Sequence, residues 1–336
     1  MFKFNKLFTL RVTPPSLILS NRDYYVDMMK ALAIMLMVIG HNEFAYWFGG
    51  LPRRIIFSFH MPLFFILSGY MHKQRNFKKT LKQGAYGLLY PYFTFGIVSM
   101  LLKILLRDYP IILAIKVLFS ANSAHTYSVP YVGGHTIGPI WFLASLFWAR
   151  LFFTILLSVG NNRYVLVSFI LSGIAVFLAS IVNLPFGILT GTSALFFLSI
   201  GYYIKKNGMN CLFLLLCIIL WPITIMKYPM DMAGFLYGNY LLNTIGAIGG
   251  TIFCFFLSIL MSKIPLVRNF AFWGRYSLHV LCWHYLIIAI FPFEVVTGKL
   301  FCSLFVISPF LISYFTVKLS ILTFMFTPSW AKRNIN

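Results

Sequence analysis

Lys30 and His41 are eleven residues apart within one apolar segment, residues 28–48. An apolar segment of this length is typical of a membrane helix, where an ionisable side chain is costly and is by default a functional candidate. Eleven residues make about three turns of α-helix, so both side chains fall on nearly the same face, roughly 16 Å apart along the axis. A basic group can hold an anion and an imidazole can accept a proton. The pair therefore indicates an enzyme.

Further polar residues flank this pair. Glu43 lies two residues after His41 and is placed to orient the imidazole and set its tautomer, as the partner of a general base does. Arg22 precedes the segment and either contributes to anion binding or belongs to a charged collar. Structural interpretations also exist, because buried histidines often bond a backbone carbonyl and lysines near helix ends extend to the interface. The residues alone leave both interpretations open for His41 and Lys30.

A second histidine lies in the next apolar segment, residues 57–70. His60 is followed by Pro62, and a proline inside a helix produces a kink and frees carbonyl groups. Gly69, together with its serine neighbour, permits close packing against another helix. The loop that follows carries five basic residues, Arg75 among them. These charges fit either a solvated cytoplasmic loop or the attraction of a phosphate-rich ligand.

The later part of the chain offers fewer candidates. Trp141 opens an apolar span and is suited to anchor it at the interface or to stack on a sugar. His279 and His284 are five residues apart and do not share a helix face, which argues against paired metal ligands. No HExxH, GxSxG or Walker motif occurs, and no metal site is predicted. Five cysteines without CxxC spacing are expected to be buried thiols: Cys211, Cys217, Cys254, Cys282 and Cys302.

The composition determines the class of protein that must position these residues. Of 336 residues, 60% are hydrophobic, 19% aromatic and only 10% charged, and the mean hydropathy is +0.86. These values exclude a soluble domain and predict an all-α integral membrane protein. The net charge of +21 does not indicate nucleic-acid binding, because the basic residues fall mostly between apolar spans. They are expected to set topology and to contact anionic lipid head groups of the bilayer.

About ten transmembrane spans are predicted. With a cytoplasmic N-terminus, the segments on that side carry sixteen Lys and Arg residues and the opposite loops carry six. This bias predicts an even number of spans with the N- and C-termini both cytoplasmic. The organisation is then an N-terminal segment (1–27), one membrane domain (28–326) and a C-terminal tail (327–336). The predicted spans are 28–48, 55–71, 85–106, 138–159, 164–183, 186–204, 211–226, 240–261, 273–293 and 300–326.

Two of these stretches resemble signatures of the membrane-bound acyltransferase 3 family, and the resemblance covers roughly residues 22–326. The opening signature has a basic residue and a histidine separated by ten positions, which is Lys30-x10-His41 here, with lysine where arginine is commoner. Later landmarks fit more loosely, and the nearest members are the fucose 4-O-acetylase-like and polysaccharide O-acetyltransferase types. The residues that match the family's signatures are 22–34 with Gly40-His41, 59–70, Trp141-Phe142-Leu143, and Tyr276-Ser277-Leu278 followed by His284.

The resemblance implies a ten-helix enzyme of the bacterial cytoplasmic (inner) membrane. It would transfer an acyl group, usually acetyl from acetyl-CoA, to a hydroxyl of a carbohydrate acceptor, with acetyl-CoA as co-substrate and no tightly bound cofactor. A thioester is already activated, so the acceptor hydroxyl needs only a base and the oxyanion needs donors. The candidate residues are His41 and Glu43 for catalysis, Lys30, Arg22, Arg75 and His60 for donor binding, and Tyr70, Trp141 and His284 for oxyanion or acceptor contacts.

Two other classes of protein share some of these features. A transporter or flippase for a lipid-linked sugar would also have many spans, but it would be expected to show internal pseudo-symmetry, and no internal repeat is found. A non-catalytic component of an envelope polysaccharide assembly machine would use the histidines structurally. The loop over residues 108–136, with His125, Tyr127 and His135, either shapes an acceptor site or only connects two spans.

Overall fold

The computed structural model describes residues 24–121, 137–160, 163–182, 184–208, 210–291 and 299–327. The described chain is almost entirely helical, which confirms the predicted all-α class, and a two-stranded hairpin joins two of the helices. Arg22, His125, Tyr127 and His135 lie outside these residues, as do most of the N-terminal segment and the tail. The helices are α1 (Tyr24–Gly40), α2 (Trp47–Phe57), α3 (His60–Tyr70), α4 (Phe77–Gly84), α5 (Tyr90–Arg107), α6 (Ile111–Ser120), α7 (Trp141–Ser158), α8 (Tyr164–Leu178), α9 (Ile188–Ser193), α10 (Leu195–Asn207), α11 (Cys211–Lys227), α12 (Tyr240–Ser262), α13 (Ala271–Arg275), α14 (Ser277–Ile290) and α15 (Lys299–Lys318), and the strands are β1 (Met230–Asp231) and β2 (Leu236–Tyr237).

Among the described residues, four helices are long and apolar enough to cross a membrane. Shorter apolar helices of 10 to 17 residues account for several of the other predicted spans. Each of the ten predicted segments overlaps a helix, whereas the number that cross the bilayer and the side of the termini stay predictions. The four long helices are Phe77–Arg107, Trp141–Ser158, Ile188–Asn207 and Tyr240–Ser262.

The first predicted span is shorter than expected, because α1 ends at Gly40 rather than continuing to residue 48. A short 3₁₀ helix follows, and then a left-handed stretch in which Phe48, Gly49 and Gly50 have φ values of 51°, 67° and 77°. Two consecutive glycines tolerate this conformation and do not favour a continuous helix. The amide of His41 still donates to Met37 O at 3.2 Å, so the histidine keeps the helical register.

The predicted kink lies one turn before Pro62, where the proline ring would clash with the carbonyl of Ser58 in a continuous helix. The helix breaks at Ser58 and Phe59, where Phe59 has φ −147°, and α3 begins at His60. Pro62 therefore lies in the first turn of α3, where a missing amide hydrogen costs no intrahelical bond. The consequence is a helix N-terminus, with its unpaired amides, at His60.

Close helix packing fixes α3 in place. A Cβ atom added at Gly69 would lie 1.8 Å from the carbonyl oxygen of Leu198, and one added at Gly201 would lie 1.8 Å from that of Ile66. The backbones of α3 and α10 therefore touch directly, as the small residue at Gly69 predicted. On the other side, α3 packs against α1. The two helices that carry the sequence signatures are thus held side by side.

Candidate active site

A cavity of about 850 Å³ lies between α1, α3, α7, α14 and the hairpin. A volume in this range is typical of ligand sites, which are largely apolar with a few polar groups. The polar and charged residues that line it are Lys30 and His41 from α1 and its C-terminal turn, Tyr46, Arg53, His60, Ser68, Trp141, Arg150, Asp231 and Ser277.

Lys30 and His41 both line this cavity, which confirms the prediction that they share a helix face. His41 lies beside the start of α3, since its ring centroid is 5.6 Å from that of Phe57. Lys30 lies about three turns away along α1. We name the region around Lys30, Ser68 and Arg150 the Lys30 end, and the region around Arg53, Tyr46 and Asp231 the Asp231 end. His41 lies between them.

The imidazole of His41 is oriented by its own helix. Nδ1 lies 2.8 Å from the carbonyl oxygen of Met37, which also accepts from the backbone amide of His41. A carbonyl oxygen can only accept, so Nδ1 carries the proton of this bond and Nε2 keeps its lone pair. The half-buried ring lines the cavity. His41 therefore has the tautomer of a general base.

Glu43 does not make the predicted contact with the imidazole ring of His41. Its Oε2 accepts a hydrogen bond from Cys302 Sγ at 3.1 Å, and the neighbouring Asn42 donates through Nδ2 to the carbonyl of Cys302 at 3.1 Å. Both side chains thereby attach the turn after α1 to α15. The predicted orienting contact is wrong because the carbonyl of Met37 already occupies Nδ1 of the imidazole. A catalytic role for Glu43 stays a prediction.

Two further imidazoles lie near His41. His60 is buried, lines the cavity and has Nδ1 2.8 Å from the carbonyl oxygen of Ile56. The ring of His284 lies 5.9 Å from that of His41, and both of its nitrogens are buried without a hydrogen-bond partner among the described residues. His279 stacks on Phe326 instead, at 3.7 Å, so the two histidines of α14 contact different neighbours, as their spacing predicted.

The Lys30 end contains a basic residue that the sequence interpretation missed. Arg150 lines the cavity, although it lies inside the apolar helix α7. Its charge reaches His72, just beyond α3: burial, and then the charges of Arg150, Arg75 and Lys205, lower the pKa of His72 to about 4. Arg75 itself donates to the side chain of Gln83. An arginine inside a membrane-length apolar helix is a functional candidate by itself, and this signal was present in the sequence.

The charged residues of the Asp231 end were also not among the candidates predicted from the sequence. The guanidinium of Arg53 lies 3.7 Å from Asp231 Oδ2, and this is the ion pair found among the described residues. Asp231 belongs to β1, which pairs antiparallel with β2, and its Oδ1 accepts from the amide of Ala233 at 3.1 Å. The hairpin thus places a carboxylate at the cavity. Both charged residues fall between predicted spans, Arg53 between 28–48 and 55–71 and Asp231 between 211–226 and 240–261.

Of the residues predicted to contact the oxyanion or the acceptor, Trp141 lines the cavity and Tyr70 does not. Trp141 lines the cavity, as do Ser277 and Leu278 of the later signature. Tyr70 is not among the lining residues; Lys205 Nζ lies 5.9 Å from its ring centroid. Tyr70 therefore packs beside Lys205 rather than inside the cavity.

Comparison with known proteins places this site in a family. A family model described as an acyltransferase domain, Acyl_transf_3, matches residues 23–330. Nodulation protein NolL of Mesorhizobium japonicum is 34% identical over 73 residues, which are 19% of this chain and 19% of NolL. The chain thus matches only about a fifth of the length of that relative. No solved structure matches it. Because the family model covers nearly the whole chain, including the cavity, the chain belongs to the acyltransferase 3 family of acyltransferases.

Proposed function

We propose that this protein transfers an acetyl group from acetyl-CoA to a hydroxyl of a cell-envelope or exported carbohydrate, in the bacterial cytoplasmic membrane. The observation that carries the proposal is the shared cavity of Lys30 and His41, in which the bond from Nδ1 to Met37 leaves Nε2 of His41 as the acceptor. Acyl transfer is the activity of the family. The donor, the acceptor and the membrane are our inference.

His41 would act as the general base. The acceptor hydroxyl attacks the thioester carbonyl carbon while Nε2 of His41 takes its proton, because an alcohol is far too weakly acidic to ionise unaided near neutral pH. A new C–O bond forms and the carbonyl becomes a tetrahedral oxyanion. The intermediate then collapses, the C–S bond breaks, and the leaving thiolate recovers the proton from the imidazolium. This sequence needs neither a metal nor ATP, since the thioester supplies the activation.

The oxyanion would be stabilised by groups at the start of α3. The break before His60 leaves the first-turn amides of this helix without intrahelical partners, and a helix N-terminus favours negative charge. His60 and Met61 both line the cavity, as does the indole of Trp141, a further donor. Donors fixed in advance where charge develops supply a large part of catalysis in acyl transfer.

The donor would bind with its phosphates at the Lys30 end. Lys30 and Arg150 line this end and Arg75 lies nearby, whereas the cavity's acidic residue, Asp231, lies at the other end. Phosphate oxygens are strong acceptors for such cations. The three cationic side chains are each partly buried, and a bound anion would make charge-assisted hydrogen bonds with them. His60 also lines the cavity, with its ring 5.0 Å from that of Phe57, and would contact the acyl group near His41.

The transporter and scaffold alternatives are not favoured, because neither explains an acyltransferase family match over residues 23–330 or a histidine whose acceptor nitrogen is available in a ligand-sized cavity. They make different predictions. A flippase would move its sugar without consuming acetyl-CoA, and a scaffold would tolerate loss of His41.

The test is transfer of radiolabelled acetyl from acetyl-CoA to envelope glycan of the native strain, using purified full-length protein. Wild type is expected to label the glycan, and His41→Gln should lower the rate by about 100- to 10,000-fold, the usual contribution of a general base. His279→Gln is the matched control, because that ring stacks on Phe326 outside the cavity. Labelling that is equal in wild type and His41→Gln would remove His41 from catalysis. No labelling by folded wild type would contradict the proposed function.

A further inference from the structure

The paired charges at the Asp231 end of the cavity are not explained by binding of the acyl donor, acetyl-CoA. Its two charged residues oppose each other, with side chains 39% exposed for Arg53 and 21% for Asp231, so the pair lies at a partly open mouth. Acetyl-CoA phosphates would be repelled by the carboxylate and attracted to the Lys30 end. A different ligand class is needed for this mouth.

Arg53 has unused hydrogen-bonding capacity. A guanidinium has five N–H donors, and the contact with Asp231 at 3.7 Å is a long one. Its Nε is buried and lacks a hydrogen-bond partner among the described residues. An unsatisfied buried donor is costly unless a ligand or water completes it. The guanidinium is therefore fixed in place but incompletely bonded.

Aromatic rings hold this guanidinium in position. Its central carbon lies 4.1 Å from the ring centroid of Phe57 and 5.8 Å from that of Tyr46. Phe57 in turn lies 5.6 Å from the ring of His41. The base is thus one ring away from Arg53, so a ligand bound at the mouth would have its near end at His41.

The carboxylate is held as firmly as the guanidinium. One oxygen of Asp231 accepts from the amide of Ala233 within the hairpin, and the other faces Arg53. The hairpin residues 232–234 also line the cavity and present backbone beside the carboxylate. A carboxylate, a guanidinium and the exposed Tyr46 ring together suit a ligand whose hydroxyl groups both donate and accept and whose C–H faces stack on an aromatic ring. These properties describe an uncharged saccharide.

We propose that Arg53, Asp231 and Tyr46 form the acceptor-saccharide site, which determines which hydroxyl is presented to His41. This assignment rests on the proposed acyl transfer. It places donor and acceptor at opposite ends of one cavity, with the base between them. Arg53 and Asp231 are then binding and positioning residues, and they take no part in the donor's phosphate contacts.

The experiment compares Arg53→Gln and Asp231→Asn with wild type in the labelled transfer assay, varying glycan and acetyl-CoA separately. The KM for glycan should rise about 10- to 100-fold, the range expected for loss of a charged hydrogen bond, while the KM for acetyl-CoA changes less than about threefold. Arg54→Gln is the matched control, because Arg54 is the adjacent, exposed residue of α2 and does not line the cavity. Unchanged glycan KM in both variants would overturn the proposal, as would an equal rise in both KM values.

A charge-swapped double variant, Arg53→Asp with Asp231→Arg, separates binding from a structural role. If the pair only attaches the hairpin to α2, the swap restores wild-type glycan KM, and the proposal is overturned. If the pair binds sugar, the donors and acceptors are exchanged and the glycan KM stays raised. Failure of wild type to consume acetyl-CoA would refute the underlying acyl transfer as well, whereas the KM outcomes above bear on the acceptor site alone.

Discussion

The two ends of the cavity differ in how their charges are arranged. At the Lys30 end, Lys30 and Arg150 line the cavity and Arg75 lies nearby. The acidic residue that lines the cavity, Asp231, lies at the other end. At the Asp231 end, a cation and a carboxylate lie within 4 Å of each other and both are partly exposed. The two ends also differ in structure, since the basic residues come from helices and a connecting loop, whereas Asp231 comes from a hairpin.

This difference separates two kinds of recognition. Several cationic side chains attract an anionic ligand, so the role proposed for the Lys30 end is selection by charge. A compensated pair has little net attraction for ions and selects by hydrogen-bond geometry. Under the proposed function, the enzyme joins a phosphate-bearing donor to a neutral polyol and would need one end of each kind. His41 lines the cavity that contains both.

The largest effect is expected from a substitution that displaces α3, which lines the cavity with His60 and Ser68. Gly201→Ala would place a Cβ 1.8 Å from the backbone oxygen of Ile66, so α3 and α10 must separate. Overpacking of this kind costs about 1–3 kcal/mol or more, and we expect a lower unfolding temperature and less folded protein in detergent. Gly87→Ala is the control, because its Cβ would meet nothing within 4 Å. Equal stability of the two variants would show that the contact between α3 and α10 adapts easily.

The next largest effect is expected from a substitution that changes the Lys30 end and leaves the Asp231 end intact. Arg150→Gln should raise the KM for acetyl-CoA about 10- to 100-fold and leave the KM for glycan unchanged, because a charge-assisted phosphate contact is lost. The effect should disappear with acetyl-pantetheine, which lacks the nucleotide phosphates. Lys78→Gln, an exposed basic residue of α4, is the control. An equal loss with acetyl-CoA and acetyl-pantetheine would mean that Arg150 acts through packing rather than through phosphate.

Much of this arrangement could be predicted from local patterns. The apolar composition gave the class, and the spacing of Lys30 and His41 placed both on one face, because a helix keeps its register for three turns. Arg150 was equally visible as a charge in an apolar span. Its importance depends on where α7 lies relative to α3, and a periodicity within one helix contains no such information.

Other features depend on contacts distant in sequence. Glu43 seemed to be the partner of His41 because it is two residues away, yet its carboxylate accepts from Cys302, 259 residues later. Arg53 and Asp231 lie in separate connections, and only tertiary packing of the hairpin on α2 brings them together. The helix break before His60 is local by contrast, because it falls at Ser58 and Phe59, four and three residues before the proline that predicted it.

A smaller effect is expected at Lys30. Lysine offers a compact charge, whereas arginine binds phosphate through two parallel N–H groups. Lys30→Arg should therefore lower the KM for acetyl-CoA, by about two- to fivefold, and Lys30→Met should raise it. Steady-state kinetics with varied acetyl-CoA measure both changes. A Lys30→Met variant with unaltered donor KM would contradict the assignment of this end to the donor.

The smallest effect is expected from Glu43→Gln, which tests whether the base is oriented by a side chain or by the backbone. If Glu43 held the imidazole, its neutralisation would lower kcat by orders of magnitude, as loss of an orienting carboxylate does in catalytic triads. The structure gives that role to the carbonyl of Met37, so kcat should fall only about two- to fivefold, through the weaker bond to Cys302. Cys302→Ala should give a similar change and, combined with Glu43→Gln, little more. A kcat loss near that of His41→Gln would restore Glu43 to the catalytic group and require the turn after α1 to rearrange when substrate binds.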